Sequence, residues 1–215
     1  MKIIIFGGTG DVGRALVNEA VERGEEVTVV ARNAQRDTCL PDGIRRMDLD
    51  LLDTTIEELA SLMAEHDVAI SSLRPPAGHE ALLVELSERL LQGARGSGSR
   101  LLLTGGAATL KLADGSGHTV LSAPGFLPDS VRPIAEACAA QDALLDDFPD
   151  VDWVCLRPAA NLLIEPGRRE YRLDTDSLVV DGAGQSRISY ADFAMAMLDL
   201  MSAHDAPRRL TAGWA

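Results

Sequence analysis

Lysine is nearly missing from this chain. Of its 20 basic residues only Lys2 and Lys111 are lysines; the rest are arginines. There are two tyrosines, Tyr171 and Tyr190, and neither has a lysine four residues further on. A tyrosine and lysine spaced Y-x-x-x-K, in which the ammonium lowers the phenol pKa so that it can pass a proton, is therefore excluded in that form. Cysteine is scarce too. Cys39, Cys138 and Cys155 are odd in number and scattered, which argues against a disulfide framework or a zinc site. His66, His79, His118 and His204 lack metal-ligand spacing, so no metal is expected. Positive charge is in deficit. A net charge of −13 disfavours nucleic acid as a partner, and any bound phosphate must be held by local arginines. No apolar run approaches the roughly 20 residues that a membrane span requires, so no membrane partner is expected. The N-terminus runs straight into a strand-like segment, with no signal-peptide pattern. A cytoplasmic protein with reduced thiols is the simplest account. Neither G-x-S-x-G nor a Walker pattern occurs.

What is present is a core and a glycine turn. With 215 residues and 46% hydrophobic content, the chain can bury one α/β domain spanning 1–215, with a small appendage. Residues Ile3 to Gly13 read IIIFGGTGDVG. Four apolar residues in a row fit a strand covered on both faces. Gly8, Gly10 and Gly13 satisfy G-x-G-x-x-G, and Gly7, Gly10 and Gly13 satisfy the related G-x-x-G-x-x-G. A helical stripe then begins with Val12, Leu16, Val17, Ala20 and Val21. Strand, glycine turn and helix together mark a dinucleotide site. The glycines let backbone N–H groups of Gly7, Gly8, Thr9, Gly10, Asp11 and Val12 approach a pyrophosphate, which the positive helix N-terminus attracts.

The end of the second strand bears on which dinucleotide. NAD-selective sites carry Asp or Glu there for the ribose 2′-OH. Here VTVVA ends in Ala31-Arg32-Asn33. An arginine can stack on adenine and pair with a 2′-phosphate, so NADP is favoured, with NAD possible. Asp48 and Leu49, after a short third strand, fall where the adenine should lie, and Asp48 could accept from its amino group. Asp50 and Asp53 read as turn and capping residues.

Further along, the pattern alternates. A helix from Thr54 or Thr55 to Glu65 precedes strand Val68–Ser71; Ser71, Ser72 and Leu73 sit at its carboxyl end, where doubly wound sheets bind ligands. Arg74-Pro75-Pro76 breaks the chain before a helix from Glu80 to about Ala94. Strand Leu101–Thr104 ends in Gly105-Gly106. About twenty aperiodic residues follow, a length that is usually a lid or binding loop. A helix spans about Pro133 to Asp147, strand Trp153–Leu156 leads into Arg157 and Pro158, which with Gly105 and Gly106 are candidate cofactor contacts, and 161–189, with short extended pieces at Tyr171–Leu173 and Leu178–Val180, reads as an appendage over the carboxyl edge of the sheet. Tyr190–Ser202 is a helix and Arg209–Gly213 a last strand. The alternation implies a Rossmann-like, doubly wound parallel sheet flanked by helices. Thr104 and Thr109 carry hydroxyls near the expected nicotinamide, and His118 in the lid is a candidate proton donor. Arg168, Arg169 and Arg172 could attract an anionic substrate. Without the Tyr/Lys pair, hydride transfer to an acceptor needing little proton help is left, such as a flavin, quinone or tetrapyrrole.

Several segments coincide with a known family. GGTGDVG with Ala31-Arg32-Asn33, TGGAATL, LRPAANL, EPGRREYRL, GQSRISYADFAMAMLDL and HDAPRRLTAG together resemble the NADH-flavin reductase group of atypical short-chain dehydrogenases, with an NmrA-like NAD(P)H-binding domain. The chain is similar in outline to biliverdin IXβ/flavin reductase. The resemblance implies NAD(P)H held through Gly7, Gly10, Gly13 and Arg32, and a nicotinamide near Ser71, Ser72, Gly105 and Pro158. It implies a small-molecule planar acceptor and a monomer or homodimer. NmrA-like relatives imply an alternative: a non-catalytic NADP sensor. Thr109 stands where that family usually has serine, and Pro166–Tyr171 departs from its P-G-x-R-x-G-x-Y pattern; the resemblance implies that both lie on the substrate side.

Overall fold

The computed structural model describes residues 1–215. In chain order the elements are β1 (Lys2–Phe6), α1 (Asp11–Glu22), β2 (Glu26–Ala31), β3 (Arg45–Asp48), α2 (Ile56–Ala64), β4 (Val68–Ser71), α3 (Leu82–Ser97), β5 (Arg100–Thr104), α4 (Arg132–Leu144), β6 (Trp153–Pro158), β7 (Asn161–Leu163), β8 (Arg172–Asp174), β9 (Arg187–Ser189), α5 (Tyr190–Asp199) and β10 (Arg209–Gly213). Eight strands form the central sheet in the order β3-β2-β1-β4-β5-β6-β10-β8. All neighbours are parallel except β10 with β8. The fold is Rossmann-like. Chain direction across the sheet reverses between β1 and β4, and a crevice opens there beyond the carboxyl ends.

Local chemistry explains the elements. Ile3, Ile4, Ile5 and Phe6 are all fully buried, because β1 is covered on both faces. Each such side chain contributes about 1.5–3 kcal/mol through burial. Ile3 and Ile5 pack with α1 and α5, through Leu16, Val17, Phe193 and Met197. Ile4 and Phe6 pack on the opposite face with Leu59, Met63, Leu90 and Leu91 of α2 and α3. Thr55 caps α2 in a reciprocal box with Glu58, which fixes where that helix starts. α3 starts at Leu82 and stops at Gly98, whose φ of +71° closes it in the left-handed region.

Two expectations need correction. The stretch Tyr171–Leu173 reads as part of an appendage, but Arg172–Asp174 adds to the main sheet as its antiparallel edge. Leu178–Val180 forms no strand; Leu178 packs with Leu110 and Val120 in a small satellite core under the lid. The two-stranded remainder of the appendage, β7 with β9, is parallel. In sequence these short pieces look alike, and their partners lie far away in the chain.

Candidate functional site

At the β1–α1 turn, close approach requires glycine. A Cβ on Gly13 would stand 2.2 Å from the Gly7 carbonyl oxygen, and one on Gly7, whose φ is +82°, 2.9 Å from the Ser72 carbonyl oxygen. A Cβ on Gly8 would meet Val29 Cγ1 at 2.7 Å. So α1 is pressed against the turn, and the turn against β2 and β4. No side chain caps α1 at Gly10. Its first-turn N–H groups are left for an anion.

A groove of about 490 Å³ runs across this turn. Its walls include Gly7, Thr9, Gly10, Asp11 and Val12, then Arg32, Asn33 and Asp37 after β2, Leu49–Leu52 after β3, and Ser72–Pro76 after β4. Arg32 is exposed and makes no ion pair or hydrogen bond within the chain. The nearby acid, Asp37, is taken up by Arg14 Nη2 at 2.6 Å. The rim after β2 therefore offers one free cation.

A second cleft of about 540 Å³ joins the first, sharing Val12, Ser72, Leu73, Arg74, Leu162 and Tyr190. Thr104, Gly105, Gly106 and Pro158 form its floor; Val120, Phe126, Leu127 and Pro128 come from the lid, and Val131, Ile134, Ala135 and Cys138 from the start of α4. The double glycine has a packing reason. A Cβ on Gly105 would meet Cys155 Sγ, and one on Gly106 Cys138 Sγ, each at 2.6 Å. Burial pushes the Cys138 thiol up to about 11 and the Cys155 thiol up to about 12, so neither is a thiolate near neutrality. Tyr190 is half-buried at the junction. Burial first, and then the charge of Asp11, raise its phenol pKa, while Arg74 opposes them.

Some expected site residues are elsewhere. Asp48 does not line the groove; its Oδ1 accepts from the Gln35 amide at 2.9 Å, and Leu49 is the wall residue. Ser71, Gly8 and Gly13 lie behind the surface as packing. Arg157 is buried, donating to Thr109 Oγ1, Leu210 O and Thr175 O, and does not face either cleft. Thr109 donates to Asp142 Oδ2 at 2.9 Å, away from the chamber. His118 is exposed at the outer tip of the lid. The expected catalytic pair, Thr109 and His118, is thus not brought to the cleft. Nor are the arginines of 168–172. Arg168 stacks 3.7 Å over Trp214, Arg169 pairs with Glu19, and Arg172 is exposed on the edge strand, so Pro166–Tyr171 lies against α1 and α5 and not on the substrate side. Asp192 explains this knot. It is fully buried and accepts from the Arg168 and Arg169 amides, Ser189 Oγ and Trp214 Nε1.

Conversely, sequence reasoning missed Arg74, Tyr190, Leu162, Phe126 and the α4 face. The Arg-Pro-Pro break was visible, but nothing local showed that it bridges two clefts.

A profile of the NAD(P)H-binding family matches residues 7–200. The chain belongs to the NAD(P)H-binding family. It is 31% identical over 204 residues to the uncharacterised protein YwnB of Bacillus subtilis, covering 93% of this chain and 91% of that one. Among solved structures it resembles a Streptococcus pneumoniae protein provisionally named an NADH-flavin reductase, at 25% identity and a TM-score of 0.87 over the full length of both. It also resembles a Bacteroides thetaiotaomicron protein provisionally named an epimerase, at 29% identity and a TM-score of 0.85, covering 99% of this chain and 96% of that one.

The family's cofactor fits what is here. The glycine cradle admits a phosphate to backbone N–H groups that side chains at Gly7, Gly8 or Gly13 would displace. At the end of β5, the Thr104 hydroxyl is buried without a partner on the chamber side, an unmet polar group that costs about 1–3 kcal/mol if left alone.

Proposed function

We propose that this member of the NAD(P)H-binding family is an NADPH-dependent reductase of a flat acceptor such as a flavin, quinone or tetrapyrrole. One observation carries the reading: a cofactor groove and a largely apolar chamber meet side by side at Ser72–Arg74 and Tyr190. Gly7, Thr9 and Gly10 would hold the pyrophosphate at the α1 N-terminus, Arg32 the 2′-phosphate, and Thr104 and Pro158 the nicotinamide side. When bound, the nicotinamide supplies a hydride. The chain supplies the rest. The apolar lid and α4 face exclude water and hold the acceptor ring face-on, which is catalysis by positioning. Tyr190 keeps its proton at neutral pH and lines both clefts, while the other hydroxyl there, Ser72 Oγ, already donates to Phe6 O, so Tyr190 can donate to the reduced acceptor. A tyrosine without a lysine partner is a weak acid, which suits acceptors that need little proton help.

The test is direct. Purified protein is mixed with NADPH and FMN, riboflavin or a soluble quinone, and loss of nicotinamide absorbance is followed. Turnover is expected, faster with NADPH than with NADH. Tight, redox-selective NADP binding with no turnover across the panel would instead identify a sensor, in keeping with the absence of Thr109 and His118 from the cleft.

A further inference from the structure

The acceptor chamber belongs to a strongly acidic chain, yet no acid lines it. The chain has 33 Asp and Glu residues, and the chamber's lining holds none. Its one charged residue is Arg74, and the rest is apolar or neutral. Arg74 is also unspent. Other arginines around the sheet are engaged: Arg100 with Asp152, Arg209 with Asp142 and Asp146, Arg157 with the Leu210 and Thr175 carbonyls. Arg74 is exposed and has no ion pair or hydrogen bond in the chain. Pro75 and Pro76 follow it, and buried Pro75 restricts the backbone that carries it. Its charge reaches the Cys138 thiol on α4 and the Tyr190 phenol on α5. It lines the junction of chamber and groove, whereas Arg32 lines the groove alone.

An unpaired guanidinium beside an apolar wall is an anion receptor, because its fork of donors matches phosphate or carboxylate. We propose that Arg74 is the anion anchor of the acceptor chamber, and that the acceptor is an apolar ring system bearing a single phosphate or carboxylate. The anion sits at the mouth on Arg74, while the ring lies between Leu127, Ile134 and Pro158. This rests on reading the chamber as the acceptor site.

The experiment compares ligands that share a ring and differ in charge. Calorimetric titrations of the NADP⁺-loaded protein use FMN against riboflavin, and anthraquinone-2-carboxylate against its carboxamide. The wild type is expected to bind the anionic member of a pair at least about tenfold more tightly, the scale of one charge-assisted contact. Arg74→Gln should bring that ratio to about one, and Arg74→Lys should keep part of it. Melting temperature should stay unchanged in both variants, since Arg74 makes no ion pair or hydrogen bond in the chain; because Arg74 also borders the cofactor groove, NADP⁺ affinity is measured alongside and should fall less than FMN affinity. Discrimination in the flavin pair alone marks a phosphate anchor; discrimination in both pairs marks a general anion anchor. Equal binding of charged and neutral members by the wild type would overturn the inference while leaving the reductase reading in place. So would an Arg74→Gln protein that loses NADP⁺ as much as FMN, because Arg74 would then serve the cofactor. If neither ring binds at all, the acceptor reading itself fails, and this inference with it.

Discussion

Replacing Arg32 by Asp tests how the cofactor is chosen. Arg32 lies at the rim after β2, exposed and free of any protein partner, while Asp37 beside it is occupied by Arg14. A charge-assisted bond from arginine to phosphate contributes about 1.5–3 kcal/mol, and exposure places Arg32 at the low end. The substituted carboxylate adds repulsion. At about 5 Å in water-like surroundings a doubly charged phosphate costs it roughly 1.6 kcal/mol, about halved by salt. The sum, about 2–3 kcal/mol, predicts a roughly 30- to 150-fold rise in the NADPH dissociation constant. NADH lacks the phosphate, and an aspartate can accept from its 2′-OH, so its affinity should hold or improve. Fluorescence titration with each cofactor measures both constants. Arg36→Ala is the control, because Arg36 is equally exposed and does not line the groove. Equal losses for NADPH and NADH would refute the reasoning, as would a wild type indifferent to the 2′-phosphate.

Other substitutions probe other links. Gly13→Ala puts a methyl 2.2 Å from a backbone oxygen, so α1 must shift; NADPH affinity should fall more than about tenfold and the melting temperature should drop, and unchanged binding would deny the cradle its role. Tyr190→Phe should lower kcat about 10²-fold and leave the NADPH dissociation constant alone; an unaltered kcat and pH profile would remove it as the proton donor. Asp192→Ala strands four donors, the Ser189 hydroxyl and Trp214 indole N–H among them fully buried, costing about 3–5 kcal/mol, which is roughly 6–20 °C of melting temperature in a protein this size; a loss under 2 °C would contradict the knot described at Trp214. Because the Cys138 and Cys155 thiols are raised, little thiolate exists at pH 8, and iodoacetamide should label exposed Cys39 at least about tenfold faster; comparable labelling of Cys138 would show the chamber to be more open.

Where reasoning from sequence succeeded, the signals were local. IIIF followed by GGTGDVG can hardly be other than a buried strand entering a tight turn, and β1 and α1 fall where that reading places them. Thr55 with Glu58 is a three-residue signal, and it starts α2. Where reasoning failed, the choice was between equivalent local options. Thr109 has a hydroxyl near the end of β5, as Thr104 does, but a turn rotates it onto Asp142. Asp48 has a neighbour amide to cap, and takes it. Arg168 and Arg169 look like a free basic pair until Asp192, Glu19 and Trp214 are brought beneath them.

The amino-acid sequence by itself determined the fold, the cofactor family and the place of the glycine cradle. These follow from steric and periodic rules that act over a few residues: which positions tolerate no Cβ, and which stripe must be buried. Only the tertiary structure decided which side chains meet across the second cleft. Arg74 and Tyr190 stand 116 positions apart in the chain, and their meeting depends on how β4 and α5 are set against one sheet. That placement is a property of packing, and no local spacing encodes it.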